Sequence, residues 1–318
     1  MAAAAGVNPS IASRILNDDP TLSARSETRD RVREAARTLG YTPNAFARGL
    51  KLRSTTTLGL VLSDVSGAVG SDLIQGAERQ AAKDGYVVLL ADADDLRANG
   101  SAHRRLLLER RVDGLVMAGD DADPRLVAEL TERGMPFVLI KDDVAGVALA
   151  VDHLAALGHT ALAYVASMQR SDTSARQLDA YADALSRHGL RSSGELLDAG
   201  VTEDAGFDAT RKLISGAEPP TAVVVGTIAQ AVGAMAALRA SGRVLPAQAS
   251  LVALQDAPLA AYLDPPLTVV RMPMRETAET AVAQLVARIR GEAATEVVVS
   301  TPAEMVVRGS TAPPPART

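Results

Sequence analysis

From residue 58 onward the chain alternates short apolar runs with helix-length amphipathic stretches. The runs LGLVLSD (58–64), YVVLLAD (86–92), GLVMAG (114–119) and PFVLI (136–140) form a first set. ALAYVA (161–166), TAVVVG (221–226), SLVAL (250–254) and LTVV (267–270) form a second. None alternates apolar with polar residues as a strand with one wet face would, so each predicts a strand buried on both faces. Helix-length segments near 71–84, 100–110 and 125–133 separate the first four, and a longer one at 144–157 leads into the second set. Strand and helix in alternation predict an α/β body of two similar halves, each a doubly wound parallel sheet covered by helices on both faces.

The first part of the chain has a different texture, that of short helices joined by tight turns. Asn8 is a good N-cap and Pro9 fits the first helical position, where its missing N–H costs nothing, which starts a helix ending near Leu16. Ser26 is expected to cap a second helix with Glu27 in its first turn. Its apolar stripe of Val32, Ala35, Ala36 and Leu39 has i, i+3, i+4, i+7 spacing, and Gly40 closes it. Pro43 and Asn44 open a further short apolar helix at 45–50, and 52–57 reads as a polar linker. These signals divide the chain into an all-α head (1–43), a short helix with linker (44–57), the α/β body (58–309) and a Pro-rich tail, STAPPPART (310–318), expected to be disordered.

Charge sharpens this division. The 318-residue chain carries a net charge of −5, but residues 1–53 hold nine Lys/Arg against five Asp/Glu, a net +4 that leaves −9 for the rest. A basic head on an acidic body fits a chain whose short N-terminal part meets phosphate. The composition is 47% hydrophobic but only 3% aromatic, so Ala, Val and Leu carry the core. No apolar stretch approaches the ~18 residues of a membrane span. With neither a basic leader nor a long apolar segment at the start, the expected location is the cytoplasm. The absence of cysteine removes disulfides, thiolate nucleophiles and cysteine zinc sites.

The stretches AGVNPSIASRILNDDP (5–20) and ETRDRVREAARTLGYTPNAFARGLK (27–51) resemble the DNA-binding head of the lactose-repressor (LacI/GalR) family. The likeness continues through LERRVDGLVM (108–117), AVDHLAALGHTALAYVA (150–166), LAAYLDPPLTVVR (259–271) and VVRGSTAPP (306–314), covering nearly the whole chain. It implies a helix-turn-helix head, a hinge helix and a two-lobed body like that of periplasmic binding proteins, with an effector cleft between the lobes. It also implies a homodimeric, cofactor-free repressor acting on pseudo-palindromic operator DNA. Asn8, Ser10, Ile11, Ser13, Arg14, Asn17, Thr21 and Asn44 fall on positions matching the family's DNA contacts. A recognition helix of this kind points the side chains of its N-terminal part at base edges in the major groove. Arg14 can pair with a guanine edge or clamp a phosphate. Leu50 matches the leucine that wedges open a minor-groove base step, with Ala47 as its small neighbour. The family ordinarily has several residues ahead of the position held by Met1, so the first helix of the head is expected to be cut to about one turn, and the head to fray.

In the body the resemblance implies effector contacts at Asp64, Asp92, Arg170, Arg176, Thr227 and Gln255, at or near strand ends. Several positions depart from the family. Gly67, Ala68, Val69 and Gly70 stand where an aromatic wall is usual, Thr227 and Ile228 replace Asn-Asp, Gln255 replaces a hydroxyl-binding Asp, and the connection between Ile140 and Gly146 is shorter. A neutral sugar is therefore a poorer fit than a carboxylate or phosphate taken by Arg170 and Arg176, and a cleft without effector is the alternative.

Catalytic readings find little support. Gly-x-Ser-x-Gly is absent, and GAVGSD (67–72) fits neither the dinucleotide fingerprint nor the phosphate loop. His153 and His159 lie six residues apart, on different helical faces, and read as structural rather than as metal ligands. The rival classes are a ligand-binding protein with a degraded DNA head, an effector-independent regulator, and a sugar- or nucleotide-processing α/β enzyme. A salt-dependent shift on operator DNA separates a regulator from the other classes.

Overall fold

The computed structural model describes residues 1–17, 19, 21–41, 54–62, 65, 67–93, 96, 109, 111–118, 124–140, 144–166, 172–196, 200–292 and 302–315. Two compact units emerge, Met1–Thr56 and Thr57–Thr318.

In the first unit, α1 (Pro9–Leu16) starts where the sequence signals it. The Asn8 side chain accepts the Ser10 N–H at 2.8 Å, and Pro9 supplies the first helical residue. The second helix, α2 (Ser26–Thr38), differs from expectation by one position. Arg25 is its N-cap, without a side-chain bond, and Ser26 is already helical. Gly40, at φ 56°, lets the chain turn back so that Tyr41 N–H reaches the Ala36 carbonyl at 2.9 Å. Residues 1–7 form a hydrogen-bonded turn, with Ala5 N–H on Met1 O at 3.1 Å. Ala5, Ala12, Ile15 and Val32 are buried together, with Val7, Leu22 and Ala35 packed around them.

The second unit contains two sheets. In the four-stranded sheet β1 (Thr57–Leu62), β2 (Val87–Asp92), β3 (Gly114–Ala118) and β4 (Phe137–Ile140) run parallel in the order β2-β1-β3-β4. Helix α3 (Ala68–Asp84) covers one face and α4 (Pro124–Glu132) the other. The chain then passes through α5 (Ala145–Ala156) into β5 (Ala161–Val165), α6 (Asp172–His188), β6 (Arg191–Leu196), α7 (Glu203–Ile214), β7 (Ala222–Val225), α8 (Ile228–Ala240), β8 (Ser250–Ala253) and β9 (Thr268–Arg271). Helix α9 (Met274–Ile289) returns to the first sheet and packs on α3, and β10 (Glu304–Val306) comes back antiparallel on β9. The six-stranded order is therefore β10-β9-β8-β7-β5-β6. Every residue of β5, β7 and β8 is buried, because α5 and α6 cover one face and α7 and α8 the other.

Helices α7 and α8 cross at glycines. A Cβ on Gly233 would lie 1.9 Å from the Glu203 carbonyl oxygen, and one on Gly206 would lie 2.2 Å from that of Gln230. Only a missing side chain lets the two backbones approach this closely.

The tail corrects an expectation of disorder. Ser310 is fully buried, receives the Thr268 N–H at 2.8 Å and donates to Leu251 O at 2.7 Å. His159, 1% exposed, holds the next residues: its Nε2 meets Ala312 O at 2.9 Å and Ser250 Oγ at 3.0 Å, while Nδ1 meets Thr221 Oγ1 at 2.8 Å. His153 Nε2 meets Thr311 Oγ1 at 3.0 Å. Partners on β8 and β9, together with His153 and His159, thus hold residues 310–312 in place, where Pro-rich composition alone suggested no order.

Candidate functional site

The helix α1 and its two caps, Asn8 and Asn17, gather six of the ten candidate DNA contacts on one short element. Ala12 and Ile15 point into the core, which turns Ser10, Ile11, Ser13 and Asn17 outward and leaves Arg14 half-buried. Ile11 keeps 39% of its surface exposed, an apolar group placed among hydroxyls and a guanidinium. Asn17 caps the helix end, its Nδ2 donating to Ser13 O at 2.6 Å. Asn44, Ala47 and Leu50, with the expected hinge helix, lie outside the described residues.

Arg14 is held by its own loop. Its Nε donates to Asp19 Oδ2 at 2.7 Å and its Nη2 to Thr21 Oγ1 at 2.9 Å. The guanidinium and the Thr21 bonds beside Asp19 hold that carboxyl well below the usual carboxylate range, at about 2. Asp19 was not among the sequence-derived contacts. Its signal was present in the Asp-x-Thr spacing of a side-chain-closed turn, where Asp19 Oδ1 takes both the N–H and the hydroxyl of Thr21.

In the body the candidates sit at different strand ends. Asp92 is the last residue of β2 and half-buried; Arg176 is exposed near the start of α6, which follows β5. Thr227 follows β7 and Gln255 follows β8. These are carboxyl ends of parallel strands, and β5 and β7 adjoin at the point where the winding reverses, the usual ligand position in an open α/β sheet. Asp64 and Arg170 lie outside the described residues. The Thr227 hydroxyl is already engaged, since it accepts the Gln230 N–H at 3.0 Å in a capping box and donates to Val201 O at 3.1 Å.

Gln255 lines a cavity of about 570 Å³ together with Val69, Asp72, Arg271, Met272 and Arg275; Asp92, Arg176 and Thr227 do not line it. Ion pairs frame the cavity. Asp256 receives Arg271 at 2.7 Å and Arg308 at 3.0 Å, Arg271 also reaches Glu304 at 3.3 Å, and Arg275 meets Asp72 at 2.7 Å. Asp256 holds the Arg271 guanidinium still more firmly protonated than usual. Sequence reasoning missed this cluster because its members lie 15 to 203 residues apart. The two histidines considered for metal are bound instead to the tail, and among the described residues no group of three or more His, Asp or Glu could hold a metal ion. None of the described helices is long and apolar enough to cross a membrane.

Known proteins match both units. Residues 1–44 match the model of bacterial regulatory proteins of the lacI family, and residues 151–311 match a periplasmic binding protein-like domain. An HTH-type transcriptional regulator from the aml 5′ region of Streptomyces limosus is 34% identical, covering 98% of this chain and 93% of its own. The ribose operon repressor of Escherichia coli K12 is 29% identical over 90% of each chain. The lac repressor dimer bound to operator and the anti-inducer ONPF superimposes with a TM-score of 0.85 at 25% identity, covering 98% of this chain and 97% of that one. These relatives are transcriptional regulators rather than enzymes. The chain, a DNA-binding head joined to a periplasmic-binding-protein-like body, belongs to the lacI family of bacterial regulatory proteins.

Proposed function

We propose that the protein is a homodimeric repressor that reads a pseudo-palindromic operator through α1 and takes an anionic small-molecule effector between the lobes of its body. The outward Ser10, Ile11 and Ser13 and the half-buried Arg14 on α1, with the caps Asn8 and Asn17 at its ends and Thr21 just beyond, carry this reading. They place donors, acceptors and one apolar side chain on a helix short enough for the major groove, in an N-terminal stretch, residues 1–53, of net charge +4. Asn44, Ala47 and Leu50 complete the contact set in this reading, Leu50 as the minor-groove wedge.

A single head offers too few contacts for tight specificity, which favours two heads on a two-fold site. Apolar exposure supports pairing. The edge strand β2 exposes Val87, Leu89 and Leu90, and the turn after β8 exposes Leu259 and Tyr262, the latter at 84%. For the effector, Arg176 near the β5–β7 reversal and Arg170 in the same connection suit a carboxylate or phosphate, with Asp64, Asp92, Thr227 and Gln255 as neighbours.

Selection of duplexes from a random pool by the full chain tests the reading. A pseudo-palindromic consensus is expected, and Arg14→Ala should weaken binding to it by about 1–3 kcal/mol. A monomer on one asymmetric half-site overturns it. Calorimetry against sugar phosphates, carboxylates and neutral pentoses tests the effector class, and heat from the neutral sugars alone refutes the anionic reading.

A further inference from the structure

Arg14 is the one cationic side chain of α1, and an arginine on a DNA-facing helix has two competing targets. A phosphate attracts it on any sequence, whereas a guanine edge rewards it at one. What it does depends on how many of its conformations survive in the free protein and how much of its charge is felt at a distance. The loop after α1 fixes both.

The bonds to Asp19 and Thr21 use the Nε and Nη2 side of the planar guanidinium. Thr21 Oγ1 gives its single proton to Asp19 Oδ1 at 2.7 Å, so its lone pair faces the arginine, and Thr21 N–H holds the same carboxylate oxygen at 2.8 Å. Asp19 N–H closes the loop on Arg14 O at 3.0 Å. Arg14, Asp19 and Thr21 therefore form a closed ring of bonds in which each partner fixes the next. The remaining donors, on Nη1 and the second Nη2 proton, are the end-on pair whose spacing matches O6 and N7 of guanine.

We infer that Asp19 is a positioning residue for base reading: it locks the Arg14 side chain with its end-on edge available to a guanine and offsets its charge against indiscriminate phosphate binding. This inference rests on the reading of α1 as the operator-contacting helix. Its bonds to Arg14 and Thr21 hold the Asp19 carboxyl well below the usual carboxylate range, so it carries its charge at neutral pH. An ion pair has little net attraction for a distant phosphate, yet its directional N–H groups lose nothing at hydrogen-bond range. Asp19 thereby lowers affinity for DNA in general and raises the ratio of specific to non-specific binding.

The test uses the full chain, the duplex it selects from a random pool, and a scrambled duplex of the same length. Asp19→Asn keeps the side-chain oxygen that receives Thr21 N–H, so the loop survives; an unchanged melting temperature checks this. Non-specific affinity is expected to rise about threefold to tenfold with a salt slope steeper by about one. The specificity ratio should fall about tenfold, with the base preference flattened at the position that Arg14→Ala also flattens. Thr21→Val, which removes the Nη2 contact but not the charge, should broaden that same preference without changing the salt slope. If Arg14→Ala flattens one base position while Asp19→Asn changes neither preference nor non-specific affinity, the role assigned to Asp19 is wrong though α1 still reads DNA. If Arg14→Ala changes no base preference, the reading of α1 itself fails, and the inference with it.

Discussion

The head and the body are held together in opposite ways. In the head the bonds that shape the candidate site are local: Arg14 meets a carboxylate five residues away and a hydroxyl seven away, and Asn8 caps a helix two residues on. In the body the bonds that tie the elements together span long separations. His159 reaches Ala312 across 153 residues and Arg275 reaches Asp72 across 203. A local site can be read and altered one residue at a time, because its geometry is written in the spacing of a single helix and turn. A site gathered from strand ends exists only if the whole topology forms, so a distant packing error can abolish it.

The largest expected effect comes from the α7–α8 crossing. Gly233→Val would drive a side chain into the Glu203 backbone, where even a Cβ has only 1.9 Å. Backbone cannot retract as a flexible side chain can, so the loss should be about 3 kcal/mol, at the upper end of overpacking costs. Urea unfolding followed by far-ultraviolet circular dichroism measures it. If the body is a tightly interlocked unit, β7 and β8 should lose hydrogen-exchange protection together, while the amides of α1 keep theirs. Equal loss in α1 would break the contrast between a locally held head and a globally held body.

The tail offers the second test. His159→Leu leaves Ser250, Thr221 and Ala312 O without their ring partner and should cost about 2 kcal/mol at neutral pH. Burial pulls the His159 pKa below its ordinary 6.5, against a smaller opposite pull from Ala312 O. Below pH 6.5 the unfolded chain therefore binds protons that the folded one refuses. The stability this contributes is complete above that pH and lost as the pH falls. Melting temperature should drop between pH 7.5 and 5.5, and the drop should shrink in His159→Leu. An identical drop in both proteins would show that the His159 anchor contributes nothing to the pH response.

How far each region could be read in advance follows the same division. The strands β1, β5, β7 and β8 were legible because burial on both faces leaves an unbroken apolar run. The strand β6, RSSGEL, was not, since an edge strand beside β5 keeps polar residues. The start of α1 was legible from Asn8-Pro9, whereas the acid that pairs with Arg14 was not singled out. Asp256, Arg271 and Arg308 could not be paired in advance, because only the β8–β9 neighbourhood and the returning β10 bring them together. The Pro-rich tail misled for the same reason. Ser310 is ordered by Leu251 and Thr268, partners that composition does not reveal.

The smallest effect is expected at Asn8, and it separates two roles that coincide in one side chain. Asn8 accepts the Ser10 N–H, and it is also a candidate DNA contact. Two turns of helix have no stability of their own, so α1 depends on Ala12 and Ile15 in the core and on this cap. Asn8→Ala should cost about 1 kcal/mol, visible as faster hydrogen exchange confined to the amides of α1 in the full chain. Asn8→Ser restores an oxygen that can cap but not the amide that can reach a base or phosphate. Protection and operator affinity recovering together would assign Asn8 to the cap alone. Protection recovering while affinity stays low would assign its amide to the DNA. Loss of exchange protection spreading into β7 and β8 in either variant would mean that the head is not the locally governed unit its bonding pattern describes.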